Sequence, residues 1–386
     1  MYHIGFNGDE KYIPYICVVI NSIVQNTQKE KSYKNDVKHI FQQPTDWEHC
    51  KEAYHFHILI DKLSEITKEK IKNLEKALNT FFPTIIEWHI LDDRLFADYP
   101  QWRKSYAAYY RILLARFIPE HIDRVLYLDG DMLVNTDIRQ LFALNMEGKG
   151  LACVPNYPQL RHELKNKKGQ NPYSFKEYTW YFNSGFMFID LAQWRKQNTE
   201  KKVIDFLNTY EVICPDQDAL NAVYKDNIKL MPYKWNLMWN NMVKPSYVLS
   251  EWQEQSKKCG QEYIYIYLIS DIENPCIIHY SVKPWNSNGF RVSAQFEGFY
   301  YPNIDLWWQM AEKTPSFAQE LLAIKESSAY QKMLKENAKK EKLLANPLYV
   351  NVLKLKRNTR PFFKKLEQPF KIVRNKIRAW KKKREK

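Results

Sequence analysis

Along the first 130 residues, short apolar stretches alternate with segments in which apolar residues recur at helical spacing. Apolar stretches at residues 4–6, 54–60 and 85–91 predict three strands. Apolar residues at helical spacing predict helices over residues 15–24 and 67–81. Because strands that alternate with helices usually pair in parallel, this order predicts an α/β fold with a mainly parallel sheet flanked by helices.

A further strand brings acidic residues to the edge of that sheet. After a helix predicted over residues 105–117, the strand Arg124–Leu128 runs directly into Asp129, Gly130 and Asp131. Ligands of open α/β sheets bind at the carboxyl ends of the strands. Two carboxylates so close together suit Mg²⁺ or Mn²⁺, and a glycine between them lets a ligand approach the backbone. The alternative is a polar turn that ends a strand.

A second Asp-x-Asp triplet has a different setting. Asp216 and Asp218 follow Pro215 and precede an apolar segment, which predicts a helix with Asp216 as N-cap and Asp218 in its first turn. His279 ends a strand predicted around residues 276–280 and offers a nitrogen ligand, although a histidine in that position is often structural. The cation that follows it, Lys283, suits a phosphate.

The pattern changes near residue 300, and we therefore predict a catalytic domain over residues 1–300. Residues 28–54 are polar and predict an inserted surface loop without chemistry. Residues 301–386 predict a helical, basic appendage interrupted by prolines, with no internal repeat. The composition, with 45% apolar and 15% aromatic residues, excludes disordered and fibrous classes.

The net charge of +14 is unevenly distributed. Residues 331–386 hold 20 of the 58 Lys and Arg residues and 4 of the 44 Asp and Glu residues, a net charge of +16, which leaves −2 for residues 1–330. The cations interleave with apolar and aromatic side chains, as in interfacial membrane segments: Leu353, Phe362, Phe363, Leu366, Phe370, Ile372, Val373, Ile377 and Trp380. We expect this tail to bind an anionic membrane surface. A solvated charged end is the alternative, and an RNA-binding arm is disfavoured because no nucleic-acid module is present.

The cysteines and the N-terminus bear on the compartment. None of the six cysteines forms a C-x-x-C pair, which favours a reduced cytoplasmic setting. The chain opens on a strand-like segment rather than a signal peptide, and its longest early apolar run, residues 13–24, is too short to span a bilayer. We expect a cytoplasmic protein at the inner face of the cell membrane.

Six blocks, taken in order, resemble glycosyltransferase family 8, the group that contains glycogenin and bacterial lipooligosaccharide galactosyl- and glucosyltransferases. The resemblance covers about residues 3–290. The blocks are Ile4 to Tyr12, Ser105 to Leu113, Val125 to Asn135, Tyr181 to Leu191, Pro215 to Asn221, and His279 to Trp285. Any single block is weakly specific, whereas six in order are highly specific.

The resemblance implies a GT-A fold, a UDP-hexose donor such as UDP-galactose or UDP-glucose, preferably Mn²⁺ with Mg²⁺ as the alternative ion, and retention of anomeric configuration. It also implies residue roles. Around the uridine it places Asn7, Asp9, Lys11 and Tyr12. As metal ligands it implies Asp129, Asp131 and His279. Near the diphosphate it places Lys283, and around the donor sugar Arg111, Asn183, Asp216 and Gln217, with Gln217 beneath the anomeric carbon.

The residues fit this chemistry, because a divalent ion and Lys283 stabilise charge that develops on a leaving UDP. The segment between His279 and Lys283 is shorter than the glycine-containing loop common in the family. A glycan acceptor that is lipid-linked, as in lipopolysaccharide, lipooligosaccharide or capsule, would explain the cationic tail. The alternatives are a nucleotidyltransferase, disfavoured because no Gly-rich nucleotide loop follows the first strand, and a non-catalytic sugar-binding protein.

Overall fold

The computed structural model describes residues 1–33, 52–102, 104–156, 162–176, 180–225, 227–238, 270–271, 274–280, 282–287, 303–344 and 346. The chain divides into two compact units. One unit comprises Met1–Trp285 with Pro302–Lys325, and the other comprises Asn286–Tyr301 with Glu326–Lys386. The domain boundary near residue 300 stays a prediction, and all site residues described below belong to the first unit.

The main sheet has seven strands and is mostly parallel. In chain order its strands are β1 (Tyr2–Asn7), β2 (Tyr54–Ile60), β3 (Thr84–Ile90), β4 (Arg124–Leu128), β6 (Leu151–Pro155), β9 (Phe182–Asp190) and β10 (Ile228–Leu230). Their order across the sheet is β10-β6-β9-β4-β1-β2-β3. Only β9 runs antiparallel to its neighbours, β4 and β6. The predicted strands at residues 4–6, 54–60 and 85–91 are confirmed within one or two residues.

Two small sheets complete the strands of the described chain. A three-stranded sheet has the order β11-β12-β5, where β5 is Met132–Val134, β11 is Leu237–Met238 and β12 is Ile277–His279. A two-stranded hairpin pairs β7 (Glu163–Leu164) with β8 (Tyr173–Ser174). The antiparallel pairing of β12 with β5 is the one that positions the site, because it brings the segment around His279 back to the end of β4.

The described residues include nine α-helices. They are α1 (Ile13–Gln25), α2 (Glu65–Asn79), α3 (Ala107–Tyr110), α4 (Leu191–Lys196), α5 (Thr199–Thr209), α6 (Pro215–Tyr224), α7 (Ile304–Glu312), α8 (Ala318–Glu326) and α9 (Ser328–Leu344). The helix predicted over residues 105–117 is in fact the short α3 followed by a 3₁₀ segment, Arg111–Arg116. None of the described helices combines the length and apolar character that a membrane-spanning segment requires.

Local chemistry explains the boundaries of the first two helices. Helix α1 carries Pro14 in its first turn, where the missing N–H costs no hydrogen bond. Helix α2 begins after Ser64, whose hydroxyl oxygen accepts a hydrogen bond from the backbone N–H of Thr67 at 3.3 Å. On α2, only Ile71, Leu74 and Leu78 are buried, a stripe that packs on the sheet as helical spacing predicts.

The described ends of the predicted 28–54 loop are held by one buried arginine. Arg139 is fully buried, and its guanidinium pairs with the Glu52 carboxylate at 3.0 Å. It also donates hydrogen bonds to the backbone carbonyls of Gln28 and Lys31. The loop prediction was too long by one residue, because β2 already begins at Tyr54, and residues 34–51 lie outside the described residues.

Four cysteines fall within the described residues, and all four are free thiols. Burial raises the pKa of the Cys17 and Cys153 thiols well above their usual value, so these side chains act as small apolar groups. Cys50 and Cys259 lie outside the described residues. The basic tail beyond residue 346 also lies outside them, so the predicted membrane segment stays a prediction.

Candidate functional site

A cleft of about 520 Å³ opens at the carboxyl ends of β1 and β4. Its lining contains every predicted site residue except Lys11: Asn7, Asp9, Tyr12, Arg111, Asp129, Gly130, Asp131, Asn183, Asp216, Gln217, His279 and Lys283. Lys11 is exposed and does not line the cleft. Six blocks spread over almost 280 residues of sequence therefore meet in one place, as expected where β-strands of an α/β sheet end together.

Three potential metal ligands form the strand-end site, which we define as Asp129, Asp131 and His279. Strand β4 ends one residue before Asp129, and the pairing of β12 with β5 places His279 opposite Met132. The His279 Nε2 atom lies 3.2 Å from Asp131 Oδ1 and 3.9 Å from Asp129 Oδ2. One ligand atom from each residue lies within 4.8 Å of the others. This donor set fits a divalent ion that accepts both carboxylate and imidazole ligands.

A buried amide fixes which nitrogen of His279 faces the carboxylates. The backbone N–H of Gly185 donates to Asn183 Oδ1 at 3.1 Å, so that atom is an acceptor. The Asn236 Nδ2 group donates to the same oxygen at 2.9 Å, which leaves Asn236 Oδ1 to face His279 Nδ1, also at 2.9 Å. Because a carbonyl oxygen only accepts, Nδ1 carries the proton. The lone pair of Nε2 therefore points at the carboxylates, as a metal ligand requires.

Arg111 links the strand-end site to the start of α6. Its Nη2 atom lies 3.0 Å from Asp129 Oδ1, and its Nε atom lies 3.2 Å from Asp216 Oδ2. Burial would lower the pKa of Arg111, but the two carboxylates outweigh burial and raise it. Burial likewise favours a higher pKa for Asp129, but Arg111 and His279 outweigh it and the pKa of Asp129 is lowered. Asp129 is thus ionised at neutral pH, the state that binds a cation.

The structure corrects the predicted role of Asp216. The N-cap of α6 is Cys214, and Asp216 lies inside the first turn. Its carboxylate is buried and accepts a hydrogen bond from the Ser184 hydroxyl at 2.8 Å. Burial raises the pKa of Asp216 in spite of the neighbouring Arg111. The N-cap prediction was wrong because Pro215 is itself the first helical residue, as proline prefers.

Asp218 fills the capping role instead. Its Oδ2 atom accepts hydrogen bonds from the backbone N–H groups of Ile213 and Cys214, both at 2.8 Å. Its Oδ1 atom accepts a hydrogen bond from the Tyr181 hydroxyl at 2.6 Å and faces His162 Nε2 at 2.9 Å. Asp218 is fully buried, so these contacts fix the loop that carries Asp216 and Gln217 into the cleft.

The side chain of Gln217 is held by strand β9. Its Oε1 atom accepts hydrogen bonds from Asn183 Nδ2 and from the backbone N–H of Ser184, both at 3.0 Å. Because the backbone N–H is only a donor, the atom facing it is the amide oxygen rather than the nitrogen. Gln217 is therefore oriented before any substrate binds.

The residues predicted around the uridine differ in their surroundings. Asn7 is buried, donates a hydrogen bond to the Ala107 carbonyl and accepts one from the Tyr127 hydroxyl. Asp9 caps a 3₁₀ turn by accepting a hydrogen bond from the backbone N–H of Tyr12 at 3.1 Å. Both residues shape the cleft wall through the backbone.

Lys283 contacts the strand-end site directly. Its ammonium group forms an ion pair with Asp131 and donates a hydrogen bond to the Tyr280 carbonyl at 3.0 Å. Two residues later, the Trp285 ring stacks on Tyr15 of α1, with ring centroids 3.7 Å apart and planes within 8°. The segment after β12 is thereby fastened to α1 beside the cleft.

At two positions beside the cleft, neighbouring atoms leave no room for a Cβ atom, so glycine is required. A Cβ at Gly185 would lie 2.6 Å from Asp129 Oδ2 and 2.7 Å from a ring carbon of His279, so only glycine lets these two side chains meet. A Cβ at Gly130 would lie 2.6 Å from Ile16 of α1. The sequence predicts that Gly130 lets a ligand approach the backbone. In the structure, a glycine is required at this position because α1 packs closely against it.

Four cleft or near-cleft residues were not predicted. Ser184 and Asn236 hold Gln217 and His279, while Trp102 and Asn156 line the cleft. Ser184 stands inside the block Tyr181 to Leu191, so the resemblance contained the signal. Asn236 follows an aromatic segment without any chemical pattern, and only the packing of the three-stranded sheet reveals it.

Comparison with known proteins agrees with this geometry. The profile of Glycosyl transferase family 8 matches residues 3–289. A lipopolysaccharide 1,2-glucosyltransferase of Escherichia coli is 27% identical over 315 residues, which cover 79% of this chain and 79% of that protein. General stress protein A of Bacillus subtilis (strain 168) is 35% identical over 211 residues, which cover 52% of this chain and 66% of that protein.

A solved structure shares the fold. The galactosyltransferase LgtC, in complex with donor and acceptor sugar analogs, aligns over 83% of this chain and 99% of that chain with a TM-score of 0.59. The two sequences are 19% identical, so the likeness concerns the fold alone. It confirms the GT-A architecture predicted from the six blocks.

Proposed function

Because the chain belongs to glycosyl transferase family 8, we propose that this glycosyltransferase moves glucose or galactose from a UDP-sugar to a lipopolysaccharide, lipooligosaccharide or capsule glycan. We propose that transfer retains the anomeric configuration. One observation carries the proposal: the strand-end site lies in the same cleft as Asp216 and Gln217, the residues expected at the donor sugar. The named activity of the Escherichia coli relative supports the acceptor class.

The donor set of the strand-end site favours Mn²⁺, because an imidazole joins two carboxylates. When bound, the ion supplies Lewis-acid stabilisation of the negative charge on the leaving UDP. Asp129, Asp131 and His279 would hold it, and Asn236 keeps the His279 lone pair directed at it. Arg111 holds Asp129 ionised and in place.

Lys283 has a second role in this proposal. Its ammonium group now pairs with Asp131, a carboxylate that a bound ion would claim. Competition for Asp131 would free the ammonium group to contact the diphosphate oxygens. The stacking of Trp285 on Tyr15 keeps the segment beside the cleft while the lysine side chain exchanges partners.

The donor sugar is proposed to lie between Arg111 and Gln217. The two hydrogen bonds from β9 fix the Gln217 amide before binding, so the enzyme does not lose side-chain entropy when the sugar arrives. The neighbouring Asp216 carboxylate, tied to Arg111, faces the same pocket and offers an acceptor for sugar hydroxyl groups.

The acceptor is proposed to bind on the side of Trp102. This indole is 49% exposed although it lines the cleft, and large exposed aromatic rings in clefts commonly bind ligands through their faces. Asn156 adds a polar side chain to the same lining. An apolar ring face beside an amide group suits a sugar ring with its hydroxyl groups.

The basic tail, residues 331–386, is proposed to hold the enzyme at the anionic inner face of the cell membrane, where a lipid-linked acceptor lies. Each cation that reaches an anionic surface contributes about 1 kcal/mol, so a net +16 is ample for reversible binding. Removing residues 347–386, which follow α9, should release the protein from anionic vesicles and leave UDP-sugar hydrolysis unchanged. Equal sedimentation of both proteins with anionic vesicles, or sedimentation of the full chain with neutral vesicles as well as with anionic ones, would contradict the electrostatic anchor.

The activity itself is tested by incubating the full chain with Mn²⁺ and a panel of UDP-sugars, and by measuring UDP release from slow hydrolysis. We expect release from one hexose donor, with no release by Asp131→Asn. A parallel incubation with UTP and a sugar phosphate tests the alternative. Release of pyrophosphate there, without UDP release from any UDP-sugar, would instead identify a nucleotidyltransferase. Binding of UDP-sugar without release of either product would indicate a sugar-binding protein.

A further inference from the structure

Four imidazoles lie side by side on one face of the edge of the main sheet. We call His3, His55, His57 and His89 the histidine row. In the parallel register, His3 of β1 lies beside His55 of β2, and Glu87 of β3 lies beside His57. Residues two apart on a strand point to the same face, so His55 stacks on His57 with ring centroids 4.1 Å apart. This row follows from period-two spacing on three neighbouring strands.

His57 is the centre of the row and is fully buried. Its Nε2 atom lies 3.0 Å from His3 Nδ1, and its Nδ1 atom lies 3.0 Å from His89 Nε2. The same Nδ1 atom lies 3.9 Å from Glu87 Oε2. His57, Glu87 and His89 thus bring one ligand atom each within 4.8 Å of one another.

These spacings match what a tetrahedral zinc-class ion requires. With metal–ligand distances of about 2.0–2.2 Å, two ligand atoms of a tetrahedral site lie roughly 3.3–3.6 Å apart. The observed separations, 3.0 Å from His57 Nδ1 to His89 Nε2 and 3.9 Å from His57 Nδ1 to Glu87 Oε2, bracket that range. The Glu87 carboxylate supplies negative charge for a dication, and its side chain is 50% exposed, which gives an ion a path from solvent.

Neighbouring side chains contact the three proposed ligands and can orient them. If a metal ion is on His57 Nδ1, the proton of His57 lies on Nε2, which can donate it to His3 Nδ1. His55 Nε2 lies 3.0 Å from Glu87 Oε2 and can orient that carboxylate. Burial lowers the pKa of His57 to about 2 and that of His3 to about 3, so both rings are neutral and keep a lone pair at neutral pH.

We propose that His57, Glu87 and His89 form a second cation site that binds a zinc-class transition metal ion. None of the three is among the described residues that line the cleft. Two imidazoles with one carboxylate favour zinc over the oxygen-preferring Mg²⁺. The ion would tie β3, the edge strand of the main sheet, to β2. Without the ion, the same nitrogen atoms form a hydrogen-bonded chain of neutral imidazoles.

The test is calorimetric titration of the full chain with Zn²⁺. Asp131→Asn provides the parent protein, because it weakens the strand-end site and leaves the second site to be measured. We expect Glu87→Gln or His89→Gln in that parent to weaken zinc binding at least about 100-fold, since each removes a direct ligand. The matched control is His121→Gln, which removes an exposed histidine outside the three.

Thermal melting provides an independent readout. Zn²⁺ should raise the melting temperature of the parent and of His121→Gln, but not of Glu87→Gln or His89→Gln, because an ion that binds only the folded state stabilises it. Glu87 is half-exposed, so its replacement leaves the fold intact and keeps the test decisive. Equal zinc affinity in the parent and in both ligand variants would reduce the row to hydrogen-bonded imidazoles. The readouts are independent of sugar transfer.

Discussion

The strand-end site and the second cation site proposed at His57, Glu87 and His89 hold complementary ligand sets on the same compact unit. The first combines two carboxylates with one imidazole, and the second combines two imidazoles with one carboxylate. The first lines an open cleft beside Asp216 and Gln217, whereas the second lies between two strands at the sheet edge, with His57 buried and Glu87 half-exposed. The two sites therefore differ in ligand type and setting rather than in ligand number, since each offers three protein ligands.

Charge separates the two regions further. The strand-end site is surrounded by cations, since Arg111 pairs with Asp129 and Lys283 pairs with Asp131. Arg111 and Lys283 both contribute to the lowered pKa of Asp129, and both cations are available to contact a phosphate. In the histidine row, burial lowers the pKa of His3, His57 and His89, and Glu87 is the carboxylate that contacts the row within the described residues. The first region therefore suits charge that develops in a reaction, whereas the second offers one carboxylate to balance part of the charge of a bound dication.

The largest expected effect is the loss of transfer in Asp131→Asn. This variant keeps the side-chain shape but removes a ligand charge that faces both His279 and Lys283. We expect UDP release to fall by about 1,000-fold, since metal stabilisation of the leaving group contributes several kcal/mol. Asp92→Asn, an exposed carboxylate paired with Arg94, is the matched control and should retain activity. Full activity of Asp131→Asn in a chelator would overturn the metal assignment.

The next effect concerns Gln217, which has no counterpart in the histidine row. Gln217→Ala should lower turnover by about 100-fold and change UDP affinity little, because the side chain is proposed to act at the sugar rather than at the nucleotide. Gln217→Glu retains an oxygen acceptor for Asn183 and Ser184, so it separates orientation from amide chemistry. Turnover and UDP titration are measured for both variants. Equal losses of turnover and UDP affinity would assign Gln217 to structure.

The same two regions show how much a sequence can reveal. The strand-end carboxylates were predictable because an apolar strand and its terminal turn are adjacent in sequence, and the order of the six blocks then added His279 and Gln217. The histidine row was not predicted, because its members come from three strands and meet only once the register is fixed. Period-two spacing of His55 and His57 was the available signal.

Local rules also failed where tertiary structure outweighed them. Asp216 has a residue type favoured at N-caps, yet Pro215 starts the helix and Arg111 binds the Asp216 carboxylate. Asn236 could not be identified, because its role depends on β12 returning beside β5. The alternation of strands and helices was sufficient for the fold, since hydrophobic periodicity is a local property.

The third prediction tests whether Asn236 acts through His279. Asn236→Ala removes the oxygen that fixes the Nδ1 proton, so Mn²⁺ affinity should fall by about 10–100-fold. Zinc binding at His57, Glu87 and His89 should stay unchanged, which makes the second region an internal control. Manganese titration followed by magnetic resonance gives a readout independent of turnover. Unchanged manganese affinity would show that other contacts suffice to orient His279.

The smallest effect is the acid sensitivity of the histidine row, measured in metal-free protein with chelator present. Burial lowers the pKa of His57 to about 2 and that of His3 to about 3, from 6.5 in an unfolded chain. The charged or titratable neighbours of these rings are His55, His89, Glu87, the N-terminal amino group and His121. A histidine that binds protons less readily when folded destabilises the native state below its unfolded pKa.

These two histidines should therefore not lower the free energy of unfolding above pH 6.5. The free energy of unfolding should fall as the pH drops from 6.5 towards 3. At pH 5.5 each of the two histidines should cost about 1.4 kcal/mol, because one pKa unit corresponds to about 1.4 kcal/mol. Urea unfolding at a series of pH values measures the slope of the free energy of unfolding against pH. His57→Gln should make this slope shallower, because one of the two contributing histidines is removed. A slope that is identical in His57→Gln and the unaltered protein would show that His57 does not control acid stability. A shallower slope would confirm that the row is held neutral by burial, in contrast to the charged strand-end site.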